Sequence, residues 1–359
     1  MHNITAERVA AVRTWLETNN LDAVIIPHED EYLGEYVPAH NERLHWLTGF
    51  TGSAGAAVIT RETAAIFVDG RYTVQVRKQV PAELFEYRHL IEEPALDWII
   101  NSLPQGSKVA FDPRMHTAAW LKGAQAKLAE KVELTTLSVN PIDELWSDRP
   151  EPVVSDVRLM ATDAVGQSSE SKRAEIAGLL KAKGADAAIL TELDSICWLL
   201  NIRGLDVSRL PVVLSNAIIH ADESVDFFLD PARIPAGFEA HVGNGIRVSH
   251  PSELEVRLQS LENRNVSVDS STSNAWYTLV LQNAGAHIIE AADPCLMPKA
   301  AKNATEIAGM KACHIRDGVA MAKFLSWIDA EVAQGNLHNE AVLADKVQSF
   351  REQDPTLMD

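Results

Sequence analysis

The sequence predicts an α/β protein built from two tandem domains with a helical segment behind them. Three observations carry this. Strand-like and helix-like segments alternate from the amino terminus to about residue 145, the same order restarts after a segment rich in Pro, Asp and Ser, and a long proline-free run begins near residue 303.

The elements follow in order. Val9, Val12 and Leu16 recur at helical spacing behind Thr5, a good N-cap residue, and the run ends at "TNN" before the strand "LDAVIIP". The stretches "AAVIT", "AAIFVD" and "KVAFD" read as strands, "TAAWLKGAQAKLAE" as a helix and "ELTTLS" as a further strand. Residues 140–171 lack sustained periodicity, which predicts an interdomain linker. The text then resembles its own beginning. "SKRAEIAGLLKAKGADAAILTELDSICWLLNIRG" carries a helix, a strand and a tryptophan-led apolar turn, as "AERVAAVRTWLETNNLDAVIIP" and "LHWLTGFTG" do. The strands align 164 residues apart and Trp46 aligns with Trp198 152 apart. The first copy therefore carries about 12 extra residues, within "HEDEYLGEYVPAHNER", whose acidic run "HEDEYLGEY" reads as a solvated loop or, alternatively, as a site for a cation or a peptide amino terminus. The second copy continues with strands "PVVLSNAIIH" and "SVDFFLD", a helix "SELEVRLQSLENR", a strand "NVSVD", a helix "NAWYTLVLQN" and a strand "AHIIEA".

Behind it, Asn303 and Glu306 form a capping-box pattern for a long helix. Ile307, Met310, Met321, Phe324 and Ile328 share one stripe of it, which predicts a buried face. His314 and Asp317 fall on the same stripe, three residues apart, as a mutually satisfied polar pair or a catalytic one.

Composition bounds the function. The formal charge of −18 disfavours nucleic acid and anionic membranes as partners. No apolar run approaches the roughly 20 residues a bilayer span needs, and the amino terminus lacks the order of a secretory signal. The three cysteines, Cys197, Cys295 and Cys313, are odd in number and without a CxxC pair. A soluble cytoplasmic protein without disulfides is expected, and Cys197, inside an apolar run, reads as a small buried hydrophobe.

Chemistry concentrates in "GFTGSAGAAVITRETAAIFVDGRY", residues 49–72. One reading of its end is a turn, in which Gly70 supplies a permissive φ, Arg71 pairs with Asp69 and Tyr72 packs beneath. The other makes Arg71 a working group, because a guanidinium stays charged and forks onto carboxylates or carbonyls. Arg203 in "NIRGLD" poses the same choice, and an ion pair with Asp206 is expected there. Trp46 and Trp198 read as core aromatics. His241, His250 and His287 lack carboxylates at ligand spacing, Asp69 has no second Asp at the required distance, and no HExxH pair exists, so no metal ligand is assigned.

Taken together, "GFTGSAG", "FVDGRY", "LDSICWLLNIRGLDV" and "KNATEIAGMKACHIRDGVAMAKFLSWI" resemble, in order and spacing, the three-domain Xaa-Pro aminopeptidases (aminopeptidase P) of the pita-bread metallopeptidase family. The resemblance covers nearly the whole chain. It implies creatinase-like α/β domains at residues 1–145 and 171–298, a linker at 146–170, and the first helices of a pita-bread domain at 299–359. It also implies release of the N-terminal residue from peptides with proline second, a task an ordinary peptidase cleft fits badly because proline lacks an N–H. Two divalent metal ions, manganese by family habit, would be held by two Asp, one His and two Glu that should follow Asp359. The chain is therefore expected to be truncated and inactive alone. By the same resemblance Arg71 reaches toward the peptidase cleft and contacts peptide substrate, with Asp69 and Tyr72 in support. Family members often dimerise, so a homodimer is an expectation. The alternative is a noncatalytic peptide-binding or scaffolding module; creatinase and prolidase typically have one such amino-terminal domain, where this chain shows two.

Overall fold

The structure is a computed structural model that describes residues 2–357. Its first domain is a six-stranded mixed sheet of β1 (Ala23–Pro27), β2 (Gly55–Thr60), β3 (Ala64–Val68), β4 (Glu86–His89), β5 (Ser107–Phe111) and β6 (Val132–Thr136), in the order β4-β3-β2-β1-β5-β6. A two-residue ribbon pairs β7 (Arg158–Leu159) with β9 (Ile202–Arg203), bracketing β8 (Ala187–Leu190) in sequence. The second domain adds β10 (Asn216–His220), β11 (Val225–Phe228), β12 (Ile246–Ser249), β13 (Asn265–Val268) and β14 (His287–Glu290), in the order β12-β11-β10-β8-β13-β14.

The two sheets have the same wiring. In each, the central strand pairs antiparallel with the strand that follows it in the sheet and parallel with a strand reached by a crossover. Ala23 faces Val109 and Ala187 faces Val266. The duplication read from three local features is thus a duplication of topology. Each sheet is covered on both faces: Val9, Val12, Leu16 and Leu47 pack on one side of the first, and Trp98, Ile99 and Leu128 on the other. Burial of strands on both faces explains their unbroken apolar character.

Several local expectations need adjusting. The first helix begins at His2, so Thr5 lies inside it instead of capping it. The tryptophan-led turns are short helices, Arg43–Thr48 and Leu193–Leu200, and they end in the same way. Gly49 (φ 79°) and Asn201 (φ 52°) each take the left-handed conformation that closes a helix, 152 residues apart like the two tryptophans. The segment 146–170 is not featureless. Ser155 is held by Asp206, Val157 donates to the Arg233 carbonyl, and a short helix, Thr162–Val165, leads to Gly166.

The long helix Ala304–Ala333 has the expected capping box, with Asn303 and Glu306 satisfying each other's backbone N–H. Its apolar stripe is not a buried face, however. Among its described residues only Ala320 is buried, and Ile307 and Met310 are exposed. Amphipathic spacing records a face that wants cover, and here the helix Glu340–Arg351 covers only part of it.

The domains meet about a local two-fold relation. Thr117 bridges Asn274, and these residues are 157 apart, the same separation as Val109 and Val266. Ala118 N–H donates to Ser273 O (3.1 Å) while Ala275 N–H donates to His116 O (2.7 Å); Ala119 N–H donates to Ser270 O (2.8 Å) while Trp276 N–H donates to Pro113 O (3.1 Å). Each bond has its counterpart with the roles of the domains exchanged.

One buried group invites a test. Lys172 is 1% exposed, and its ammonium donates to Trp198 O (3.0 Å) and Asn201 Oδ1 (2.7 Å), at the carboxyl end of the helix Leu193–Leu200. Burial pushes its pKa down from 10.5 to about 8. The unfolded chain therefore binds more protons than the folded one between those values, so this lysine's contribution to stability rises with pH across that window. Wild-type protein should gain about 2 kcal/mol over Lys172→Met between about pH 8 and 10, with solvent screening allowed for. Chemical denaturation of both proteins at several pH values checks this, and a constant difference refutes it.

Candidate functional site

Backbone geometry gathers both ends of the "GFTGSAG…DGRY" stretch onto one rim of the first domain. After Gly49 closes its helix, the chain drops into β2 at Gly55, where a Cβ would lie 2.9 Å from the Phe67 carbonyl oxygen of β3. Only glycine fits there. This close approach sets Ser53 beside the exit from β3, and its hydroxyl lies 2.7 Å from the Tyr72 hydroxyl. The Phe50 ring meets the Tyr72 ring edge-on at 5.5 Å. Thr51 Oγ1 accepts from both Gln75 (2.9 Å) and Gln79 (2.8 Å) of the next helix. The two ends of the stretch are clamped together by these contacts.

At the end of β3, the Asp69 carboxylate accepts from the Arg71 backbone N–H (2.9 Å), from Nε (3.1 Å to each oxygen) and from Nη2 (2.7 Å). Tyr72 N–H donates to Asp69 O, closing a turn. The turn and the ion pair are both present. Gly70 is not the reason, since its φ lies outside the left-handed region and a Cβ would meet nothing nearer than 4.0 Å. Asp69 does the work by an Asx hydrogen bond. Arg71 remains 65% exposed, so the pair aims the guanidinium outward without consuming it. Its hydrogen bonds hold the Asp69 carboxyl below the usual range, and the Ser53 contact lowers the Tyr72 phenol. Glu35 adds a negative charge near this rim, and the His89 ring accepts from the Ile91 and Glu92 N–H groups. Ser53 and Thr51 were not singled out in the sequence; their only signal was membership of the glycine-rich lead-in.

The other singled-out residues are placed elsewhere. Trp46 and Trp198 are core aromatics, 6% and 7% exposed, and Cys197 and Cys295 are buried while Cys313 is exposed. Arg203 does not pair with Asp206: it donates to the Cys197 and Ile202 carbonyls, while Asp206 takes Arg233, 27 residues farther along. His314 and Asp317 do not bond each other either. His314 bonds Met310 O and Asp317 pairs with Arg351 from the neighbouring helix, which outcompetes the same-helix partner. The acidic run is not a solvated loop. Asp30 is 1% exposed, accepts from Asn41 and the Tyr32 N–H, and burial together with Glu31 raises its carboxyl to about 6. Tyr32 packs against the core of the second domain, and Asn274 donates to Glu31 O. The extra residues of the first copy are thus an arm laid across the domain boundary.

Two divalent ions do not fit the residues present. Among the described residues no group of three or more His, Cys, Asp or Glu could hold a metal ion. His241 bonds Asn201 O, and His250 bonds Ser252 at a helix start. No helix among the described residues is long and apolar enough to cross a membrane.

Comparison with known proteins adds the following. Residues 8–145 and residues 148–306 each match a family described as the creatinase/prolidase N-terminal domain. The chain is 31% identical over 364 residues to Xaa-Pro aminopeptidase 1 of Dictyostelium discoideum, which covers 97% of this chain and 57% of that protein. It is 33% identical over 339 residues to Xaa-Pro aminopeptidase ApepP of Drosophila melanogaster, covering 92% of this chain and 55% of the relative. Among solved structures it superposes on the X-prolyl aminopeptidase of Caenorhabditis elegans, described as a cytosolic enzyme with a di-nuclear active site, with a TM-score of 0.91 at 25% identity. That match covers 99% of this chain and 60% of the other. The chain spans a little over half the length of these relatives.

Proposed function

Because the chain carries two creatinase-like α/β domains in tandem, we propose that it forms the amino-terminal part of a metal-dependent Xaa-Pro aminopeptidase, which removes the first residue from peptides with proline second. The observation that carries this reading is the superposition over 99% of the chain on an X-prolyl aminopeptidase, and relatives about 30% identical over nearly the whole chain support it. In this reading residues 1–145 and 171–298 are the two domains, 146–170 joins them, and 299–359 begin a pita-bread peptidase domain. Arg71 is the substrate contact, oriented by Asp69, with Tyr72 buttressed by Ser53. The protein works in the cytoplasm, as a homodimer, with manganese as its metal.

No catalytic step is assigned to these 359 residues. The pair of metal ions supplies Lewis-acid chemistry when bound. The ligand set it needs is not among the described residues, so we place it in the share of the relatives' length that this chain does not span. What this chain contributes is a rigid frame and one aimed cation at its rim.

The test is direct. The 359-residue chain, purified and supplied with manganese, should leave Xaa-Pro peptides intact, whereas the longer polypeptide should cleave them in a chelator-sensitive way that manganese restores. Chelator-sensitive turnover by the short chain, or a longer polypeptide without Xaa-Pro cleavage, overturns the reading.

A further inference from the structure

The duplicated sheets act as each other's control, and at one end they differ in chemistry. With Ala23 matched to Ala187, the strand registers match Thr60 to His220, Ala65 to Asp226 and Glu86 to Arg247. Where the first domain has a fully buried alanine, the second has an aspartate whose side chain is 6% exposed. Burying a carboxylate is costly unless its partners offset the lost hydration, so its presence in a strand calls for a reason.

Its partners converge from three elements. His220 Nε2 lies 2.9 Å from Asp226 Oδ2, Arg247 Nη1 3.2 Å from Oδ1, and Arg257 Nε 3.5 Å from Oδ2. Arg264, on the turn before β13, adds a third guanidinium, 3.9 Å from Asp186. These groups line a cleft of about 420 Å³. Two further carboxylates share it, and both have backbone duties: Asp186 accepts from Asn265 N–H (2.8 Å) and Asp222 from Ser224 N–H (3.0 Å). Arg247 and Arg264 are 59% and 63% exposed, with donors free to turn into the cleft.

Two guanidiniums and an imidazole around one buried carboxylate, with the third guanidinium of Arg264 on the same cleft, are an arrangement that a second anion completes. Fork-shaped donors match planar or tetrahedral oxyanions, which an isolated lysine would not orient. We propose that this cleft of the second domain is a binding site for a small oxyanion, a phosphate or carboxylate group carried by a small molecule, with Asp226 as the residue that positions Arg247 and Arg257 and Asp186 the one beside Arg264. The volume exceeds that of a bare phosphate and leaves room for the body of the ligand. Nothing in the site depends on the proposed peptidase activity.

Calorimetric titration of the 359-residue chain at low ionic strength, with inorganic phosphate in one arm and glutarate in the other, tests this. Saturable single-site binding is expected in at least one arm, and the stronger arm identifies the anion. Arg247→Gln and Arg264→Gln should each weaken binding about tenfold or more, as loss of a charge-assisted hydrogen bond does. Lys311→Gln, on the remote long helix, makes the same change in net charge and should leave binding intact. Both arginines are exposed, so circular dichroism should show the variants folded. No saturation in either arm, or equal losses in the arginine variants and the lysine control, overturns the proposal.

Discussion

Asp206→Ala should destabilise the second domain by about 3 to 5 kcal/mol, the loss expected when one partner of a buried ion pair is removed. The Asp206 side chain is fully buried, and four groups depend on it. It accepts from Ser155 N–H (2.8 Å), Ser155 Oγ (2.7 Å), Leu214 N–H (2.8 Å) and Arg233 Nη2 (2.6 Å). Alanine leaves the guanidinium of Arg233, itself 10% exposed, without its counter-charge, and leaves two backbone donors unsatisfied. Asp206→Asn keeps the shape and one acceptor, so it should fall between wild type and alanine. Because the first domain has its own core, urea unfolding should resolve the effect in the transition of the second domain. A shift below about 1 kcal/mol for the alanine variant would sink this assignment of Asp206 as the staple of the domain.

Arg71→Ala in the longer polypeptide should lower kcat/KM about tenfold to a hundredfold, and Arg71→Lys less, because lysine keeps the charge and loses the fork. The guanidinium is mostly exposed and its bonds run to Asp69 alone among carboxylates, so the fold does not rest on it. Stability and metal content should therefore stay unchanged in both variants. A purely structural turn predicts the reverse: a lower melting temperature for Arg71→Ala, with full specific activity of the folded fraction. Kinetics and thermal unfolding on the same two proteins separate the cases, and unchanged efficiency in Arg71→Ala would remove the substrate role.

Much of the fold was legible because its signals are local. The apolar strand runs, the Asn303 cap and the repeated helix-strand-tryptophan order all lie within windows of a few tens of residues, and each appears in the structure near its expected place. Edge strands were harder. β4 and β12, four residues each, are exposed or half-buried apart from Ser249 and carry too little apolar pattern to announce themselves. Pairings over distance were not legible at all. Asp206 had Arg203 three residues before it, yet the burial of Arg233 beside Ser155 decided the pairing. The acidic run read as solvated because charge usually means surface, whereas Asp30 is buried on its own domain's Asn41 and Tyr32 N–H and Tyr32 packs half-buried against the second domain's core. At the site, the Asp69–Arg71 pair was readable from adjacency, whereas the Ser53–Tyr72 contact needed the strands on either side to be paired.

The reciprocal bonds at Thr117 and Asn274 are what two identical subunits make when they share a symmetry axis. The tandem is, in effect, a dimer written as one polypeptide. A tether of this kind holds the halves at an effective concentration in the millimolar range, so pairing no longer depends on how much protein a cell makes. It also frees each half from having to match its twin. A substitution in a true homodimer appears on both sides at once, but here the first half could acquire the arm that crosses the boundary, and the second its arginine-lined cleft, without either change being copied into the other.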